Sequence, residues 1–276
     1  MKSITVQDNK FIHLCQPDPC KSCGACCGPY NYADSTRESL VKRLRRGTAL
    51  FHETVSGPGD LENFSRMSKE SEPQTKIYEV IYCCEYLGFL DNNEKRVGCL
   101  LHPLQNGDKD FRDASFYGRD LCDGHFCPSY HHISREEKLA LINIIEDWYF
   151  YGLCITDIDL VKEYFRFISE GIGEMPSADR FKEGALKKIA LCFFSLKVSW
   201  LFRSPETNRF GKYYFDGSQY MINHIDYDAL SCERSRFDRI FLSLTSQFNT
   251  LEELRKGEAI IQENIDDFIH KYQEVY

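Results

Sequence analysis

Four cysteines, Cys20, Cys23, Cys26 and Cys27, crowd into one short run that reads Cys-x-x-Cys-Gly-x-Cys-Cys-Gly-Pro. Four more, Cys84, Cys99, Cys122 and Cys127, follow before residue 133, out of 13 in the whole chain. Packing alone does not call for that density. Thiolates are soft ligands that select zinc, copper(I) or iron–sulfur clusters, so the array predicts a bound metal. No recognisable catalytic motif accompanies it, and the array by itself names no reaction.

The local chemistry is consistent with ligation. A Cys-x-x-Cys step folds a tight loop with both sulfurs on one side. Gly24 and Gly28 can take a positive φ and let backbone amides approach the sulfurs, which stabilises thiolate charge. Four thiolates would hold zinc at about 2.3 Å in a closed tetrahedron. The adjacent pair Cys26-Cys27 is harder to place on one ion, because neighbouring side chains of an extended chain point to opposite faces. The two thiols face two different centres, or one ligates while the other is buried; a disulfide between them would be strained. For Cys83-Cys84, Cys84 is the preferred ligand, with Cys83 on the opposite face. Cys-x-x-Cys-x-x-Cys also opens the bacterial ferredoxin run, but the fourth position of that run falls on Tyr30 here; Cys127-Pro128 could supply a distal fourth ligand. Zinc and a 4Fe-4S iron–sulfur cluster both remain open.

At these residues the chain resembles the CxxCxxCC (YkgJ-like) family of zinc- or iron-chelating domains. The resemblance rests on Cys20, Cys23, Cys26 and Cys27, then Cys84-Glu-Tyr-Leu, then Gly98-Cys99-Leu-Leu-His-Pro103, then Cys122 and Cys127. It covers about residues 15–130 and implies a cysteine-bound metal, with the family's activity largely undefined. The sequence departs from the family at Arg119-Asp120, where an Arg-Pro step is usual, and in its extension after residue 133. Some flagellin lysine-N-methylases look similar in their cysteine cluster, which keeps lysine methyl transfer as a minor alternative; no convincing glycine-rich S-adenosylmethionine loop supports it.

Other residues are given plainer roles. His102, His125, His131 and His132 lie near the late cysteines, with His125 the best placed to ligate or to donate to a thiolate. The simpler reading is that they are exposed or bonded to backbone, since the cysteines already suffice for one or two four-ligand sites. Cys15 reads as a structural or free thiol rather than an extra ligand. Cys154, Cys192 and Cys232 fall on apolar helical stretches and read as small hydrophobes. The aromatics Trp148–Tyr151 and Phe193, Phe194, Trp200 and Phe202 read as core, and Asp157/Asp159 and Asp266/Asp267 as helix-end or solvated charges.

The elements that must position the array come next. Up to residue 133 cysteine, glycine and proline are frequent; beyond it long amphipathic stretches take over. The expected architecture is α+β: an irregular cysteine-rich metal-binding module with a small antiparallel sheet (1–133), packed on a mainly helical region (134–276), with the two packed as one unit. In the first part a helix is expected over 36–46, ended by Gly47. A loop is expected over 56–74, and Lys76–Leu90 as strand pairing with Arg96–Leu101. In the second, Ser134-x-x-Glu137 opens a helix with Leu139, Ile142, Ile145 and Tyr149 on one face, ended by Gly152. Thr156-x-x-Asp159 starts another, running toward Gly171. A long helix over 178–202, a hairpin over 209–221 turning at Asp216-Gly217, and helices over 228–247 and 251–274 complete the reading.

Composition sets the remaining bounds. At 42% hydrophobic and 28% charged, the chain has the make-up of a globular protein with a core of its own. Net charge is −8, and residues 1–133 hold 16 Lys+Arg against 18 Asp+Glu while residues 134–276 hold 18 against 24, so neither half offers a broad phosphate-tracking surface. The one basic cluster, Arg37, Lys42, Arg43, Arg45 and Arg46, reads as a solvated helix face. The first residues lack the apolar segment of about 7–15 residues that marks a secretory signal, and Ala190–Phe202 is interrupted by Ser195, Lys197 and Ser199 and does not span a membrane. A cytoplasmic protein keeps its thiols reduced, which favours metal ligation over disulfides. The expectation is a metalloprotein with an iron–sulfur or zinc site and a redox or other metalloenzyme role. The alternatives are a scaffold module held by structural zinc, or a metal carrier or sensor. The protein partner and the substrate are not legible.

Overall fold

The structure, a computed structural model, describes residues 12–71, 75–205, 209–210, 212–216 and 219–275. The expectations resting on residues 1–8, Glu72-Pro73 and Gly217 lie outside these residues.

The first half is short-range and irregular, as its glycine and proline content requires. Two single 3-10 turns, Ala25–Cys27 and Pro29–Asn31, are followed by helix α1 (Arg37–Thr54). Thr36 caps α1 by accepting the Ser39 N–H. The helix does not stop at Gly47 as expected. Gly47 is absent from the positive-φ glycines, and the apolar stripe Leu40, Leu44 and Phe51 carries the helix past it. The expected loop over 56–74 contains a second helix, α2 (Leu61–Glu70). The Asp60 carboxylate gathers the Ser56 and Gly57 N–H groups at 2.9 and 3.0 Å, and Leu61 and Phe64, three apart, are buried against the rest of the module.

The expected strand pair is real but shorter than its sequence signal. Strands β1 (Leu87–Phe89) and β2 (Val97–Cys99) pair antiparallel with Leu87 opposite Cys99 and Phe89 opposite Val97. Residues 78–86 instead turn back toward the early loop, where Asn31 holds the backbone of Tyr78 and Ile81. Short helices α3 (Gly118–Gly124) and α4 (Ser129–His132) close the module.

The second half is helical. The Ser134/Glu137 capping box opens α5 (Arg135–Ile144) as expected, with Ala140, Leu141 and Ile144 as its buried apolar face rather than the set built on Leu139 and Ile142. The helix breaks at Ile145, which is extended. Asp147 then accepts the Phe150 N–H and starts α6 (Trp148–Ile155). Gly152 therefore lies inside a helix, not at its end. A Cβ there would meet the Tyr30 hydroxyl at 2.2 Å, so the glycine admits a side chain of the first half. Asp157, not Thr156, caps α7 (Ile158–Ile172), which ends at Gly173 with φ 90° rather than at Gly171. Lys197 and Ser243 both bond the Asp157 carboxylate, at 2.5 and 2.8 Å.

The expected helix over 178–202 is split into a 3-10 turn at Ala178–Phe181 and α8 (Gly184–Ser199). A small sheet follows, β3 (Arg209–Phe210), β4 (Tyr213–Asp216) and β5 (Gln219–Ile222), which contains the expected hairpin. Of the helix expected over 228–247 only α9 (Asp238–Ser243) forms. The last helix, α10 (Leu251–Val275), agrees with its stripe, burying Leu254, Ile261, Ile265, Phe268 and Tyr272.

The α+β reading therefore holds, and the halves interlock. Leu14 sits in the core of the helical half, and the Tyr151 hydroxyl donates to its carbonyl at 3.0 Å. Trp148 and Leu153 complete the core built on Leu40, Leu44, Leu87 and Val97. Of the aromatics read as core from the sequence, Trp148, Tyr151, Phe193, Phe194 and Trp200 are buried, while Tyr149, Phe150 and Phe202 are half-buried and pack against the core. No helix among the described residues is long and apolar enough to cross a membrane.

Candidate metal centre

Two clamps set the early cysteine run. The Ser22 hydroxyl donates to the Val97 carbonyl at 2.8 Å and accepts the Val97 N–H at 2.6 Å, pinning the run to β2. Gly28, at φ 77°, joins the two 3-10 turns, and a Cβ there would stand 2.2 Å from the Tyr82 carbonyl oxygen. Only glycine permits both that backbone conformation and that approach. The approach brings residues 82–84 against the run: the Cys84 N–H donates to the Cys27 carbonyl at 2.8 Å, and the Cys83 thiol donates to the Gly28 carbonyl at 3.2 Å. Cys83 is buried and bonded to backbone, while Cys84 faces the thiol of Cys27.

The neighbouring Cys27 thiol, with further help from the Tyr86 N–H and the Tyr82 hydroxyl, holds Cys84 below the usual thiol range against the opposing effect of burial. The Cys84 thiol and then burial push Cys27 well above it. Cys99, opposite Leu87 on β2, is pushed up to about 12 by burial; nearby Cys84 and Cys122 add to the shift, and the Leu101 N–H opposes it. Cys122, on α3, lies 3.8 Å from the Ser115 hydroxyl. Arg112 braces this segment, bonding Asp110 at 2.6 Å and Asp123 at 2.9 Å.

A second gathering lies on the other side of the run. The Cys23 N–H donates to the Cys15 carbonyl at 2.9 Å, and the Cys15 N–H to the Tyr130 hydroxyl at 3.2 Å. That hydroxyl in turn donates to the Cys15 sulfur at 3.4 Å, and the Tyr130 N–H to the Cys127 carbonyl at 3.0 Å. Burial pushes Cys23 well above its ordinary range, opposed by the Ala25 N–H and reinforced by the Cys15, Cys26 and Cys127 thiols. Cys26 is pushed up to about 12 by loss of solvent around its thiol, then by Cys127 and Cys15. Burial raises Cys15 too, with the Tyr130 hydrogen bond opposing it and Cys127 adding to it.

Seven of the eight cysteines singled out from sequence, Cys23, Cys26, Cys27, Cys84, Cys99, Cys122 and Cys127, lie within reach of another's charge. Cys20 is exposed, as are Cys26 and Cys122; its N–H is held by the Asp18 carboxylate at 2.7 Å, and it is not among the thiols bearing on Cys23 or Cys26. Cys15, read from the sequence as a structural or free thiol, is half-buried and bears on both. All 13 cysteines are free thiols.

The histidines take the simpler role. His102 caps a turn by accepting the Leu104 N–H, and His125, His131 and His132 are exposed. Cys154 is buried in the helical core, but Cys192 is exposed and Cys232 lies in a turn, so only the first is a core hydrophobe. The basic cluster on α1 is held by the protein itself. Arg37 bonds Asp147, Lys42 bonds Glu38 and Arg45 bonds Glu94, while Arg43 stacks at 3.7 Å on the Tyr32 ring.

The donor chemistry suits a thiophilic metal: uncrosslinked thiols from separate chain segments share two neighbourhoods. Their spacing is looser than one ion's grip. Among the described residues no group of three or more Cys, His, Asp or Glu side chains is arranged to hold an ion, whereas four thiolates on zinc would stand about 3.8 Å from one another. The cavity beside Cys27 and Cys84, lined also by Arg43, Arg46 and Glu85, is about 40 Å³, room for a water or two. Compared with known protein families, with curated proteins and with solved structures, the chain finds no match.

Proposed function

We propose that this chain is a cysteine-liganded metalloprotein of the CxxCxxCC kind, holding an iron–sulfur cluster with a redox role in the reducing cytoplasm. The observation that carries this reading is the gathering of uncrosslinked thiols from the early run, residue 84, strand β2 and the segment 122–127 around one stretch of backbone. Cys23, Cys26, Cys27, Cys84, Cys99, Cys122 and Cys127 are the proposed ligands, and the cluster would supply electron transfer or Lewis-acid chemistry. A cluster has a body of its own and accepts sulfurs set farther apart than one ion does. The backbone amides around the run would stabilise and tune the ligated thiolates.

Protein purified without oxygen should be brown, absorb near about 400 nm and contain iron with acid-labile sulfide. Colourless protein with stoichiometric zinc would favour a second reading, a structural zinc module. The roughly 40 Å³ cavity beside the thiols, too small for a substrate, is the observation that favours it.

A further inference from the structure

We infer that Cys27 and Cys84 are a redox pair: in metal-free protein hydrogen peroxide oxidises them to a disulfide that ties the early cysteine run to residue 84, and added thiol reopens it. This goes beyond the metal-binding reading and does not rest on it, since it needs only the two sulfurs and the oxidant.

The backbone sets the span. The Cys84 N–H donates directly to the Cys27 carbonyl at 2.8 Å. With ordinary bond lengths, that contact keeps the two Cα atoms within about 6.7 Å of each other, inside the roughly 4.4–6.8 Å that disulfides bridge. Both residues line one cavity, so their side chains share a common space, and both are half-buried free thiols. Cys83 is held apart from them: its thiol donates to the Gly28 carbonyl at 3.2 Å and accepts from the Asn31 amide at 3.6 Å. Cys15 and Cys23 are also joined by a backbone bond, but the Tyr130 hydroxyl engages the Cys15 sulfur at 3.4 Å.

The cavity selects the oxidant. At about 40 Å³ it has room for a water or two, which admits hydrogen peroxide and excludes a bulky disulfide. Arg43, Arg46 and Glu85 give it a polar wall. One thiol loses its proton and attacks a peroxide oxygen; the O–O bond breaks, the sulfur becomes a sulfenic acid, and the departing hydroxide takes the proton to form water. The second thiol attacks the sulfenic sulfur. The S–S bond forms, the S–O bond breaks, and that oxygen leaves with the second thiol's proton as another water. Two electrons pass from the two sulfurs to the peroxide.

The test is peptide mapping of the full chain after exposure to an equimolar amount of hydrogen peroxide. Chelation strips any metal beforehand, and circular dichroism confirms the fold. Mapping the untreated chain as well, in which bound metal should delay the same link, keeps the result independent of that step. Remaining thiols are blocked with iodoacetamide and the digest is read by mass spectrometry with and without dithiothreitol. The Cys27–Cys84 link should be the main cross-linked product, should vanish with dithiothreitol or in Cys84→Ser, and should persist in Cys83→Ser. A predominant link between any other two cysteines, Cys15 and Cys23 included, would overturn the pairing. So would a chain in which Cys27 and Cys84 both remain open to alkylation, or in which either is driven to sulfinic acid with no link formed. A chain that carries no metal as purified yet forms the link would overturn the metal-binding reading and leave the pairing standing. A metal-bearing chain that links other cysteines would do the reverse.

Discussion

Gly28 lets residues 82–84 close against the early cysteine run. It holds φ 77° while the Tyr82 carbonyl oxygen occupies the space a Cβ would need. Gly28→Ala should cost about 2–4 kcal/mol, because a strained conformation and a backbone clash add together. Urea denaturation measures it, and a loss under about 0.5 kcal/mol would show that the approach of residues 82–84 is not fixed by this glycine. Cys154 is the contrast: buried in the helical core and pushed well above the usual thiol range by burial, with Lys197 opposing the shift and Asp157 adding to it. Cys154→Ser should destabilise the fold by about 1–3 kcal/mol and leave metal content unchanged, as elemental analysis would read. Part of this was legible in the sequence: the glycines within the run announced a tight backbone, and Gly28 provides it. What spacing could not show was that Tyr130, more than a hundred residues along the chain, holds Cys15, and that the Asp18 carboxylate takes the Cys20 N–H.

Strand β2 is the anchor of the early run, through the two hydrogen bonds between Ser22 and Val97. Ser22→Ala leaves the buried Val97 N–H without its partner and the Val97 carbonyl with the Gln16 amide alone, and should cost about 1–3 kcal/mol and lower metal retention under chelator challenge. Retention equal to wild type would show that β2 does not position the run. At the helix starts, the Ser134 cap was readable, and it opens α5 as its spacing announced; Thr250 likewise accepts the Glu253 N–H at the start of α10. Competition between signals was not readable. Asp147 restarts the chain within an otherwise helical pattern, and Asp60 organises α2 from a segment whose polarity resembled a loop. Gly47 and Gly152 carry the usual stop residue yet lie inside helices, because the buried stripe continues past the first and Tyr30 occupies the space beside the second.

The two halves share their cores, so the metal and the fold should be linked across the chain. Leu14 packs in the helical half, and Trp148 in the cysteine-rich half, on either side of the array. Because thiols must lose protons to ligate, metal affinity falls as pH falls, and acidification should release metal before the helical core unfolds. Loss of near-ultraviolet dichroism in step with metal release, followed at lower pH by loss of helix signal, is the expected order; a single simultaneous transition would show that the helical half has no stability of its own. The most direct test of the account is the metal content and visible spectrum of the full chain purified without oxygen. The account predicts brown protein absorbing near about 400 nm, with bound iron and acid-labile sulfide. Protein that carries neither iron nor zinc, with all of its thiols titrating as free, would contradict it.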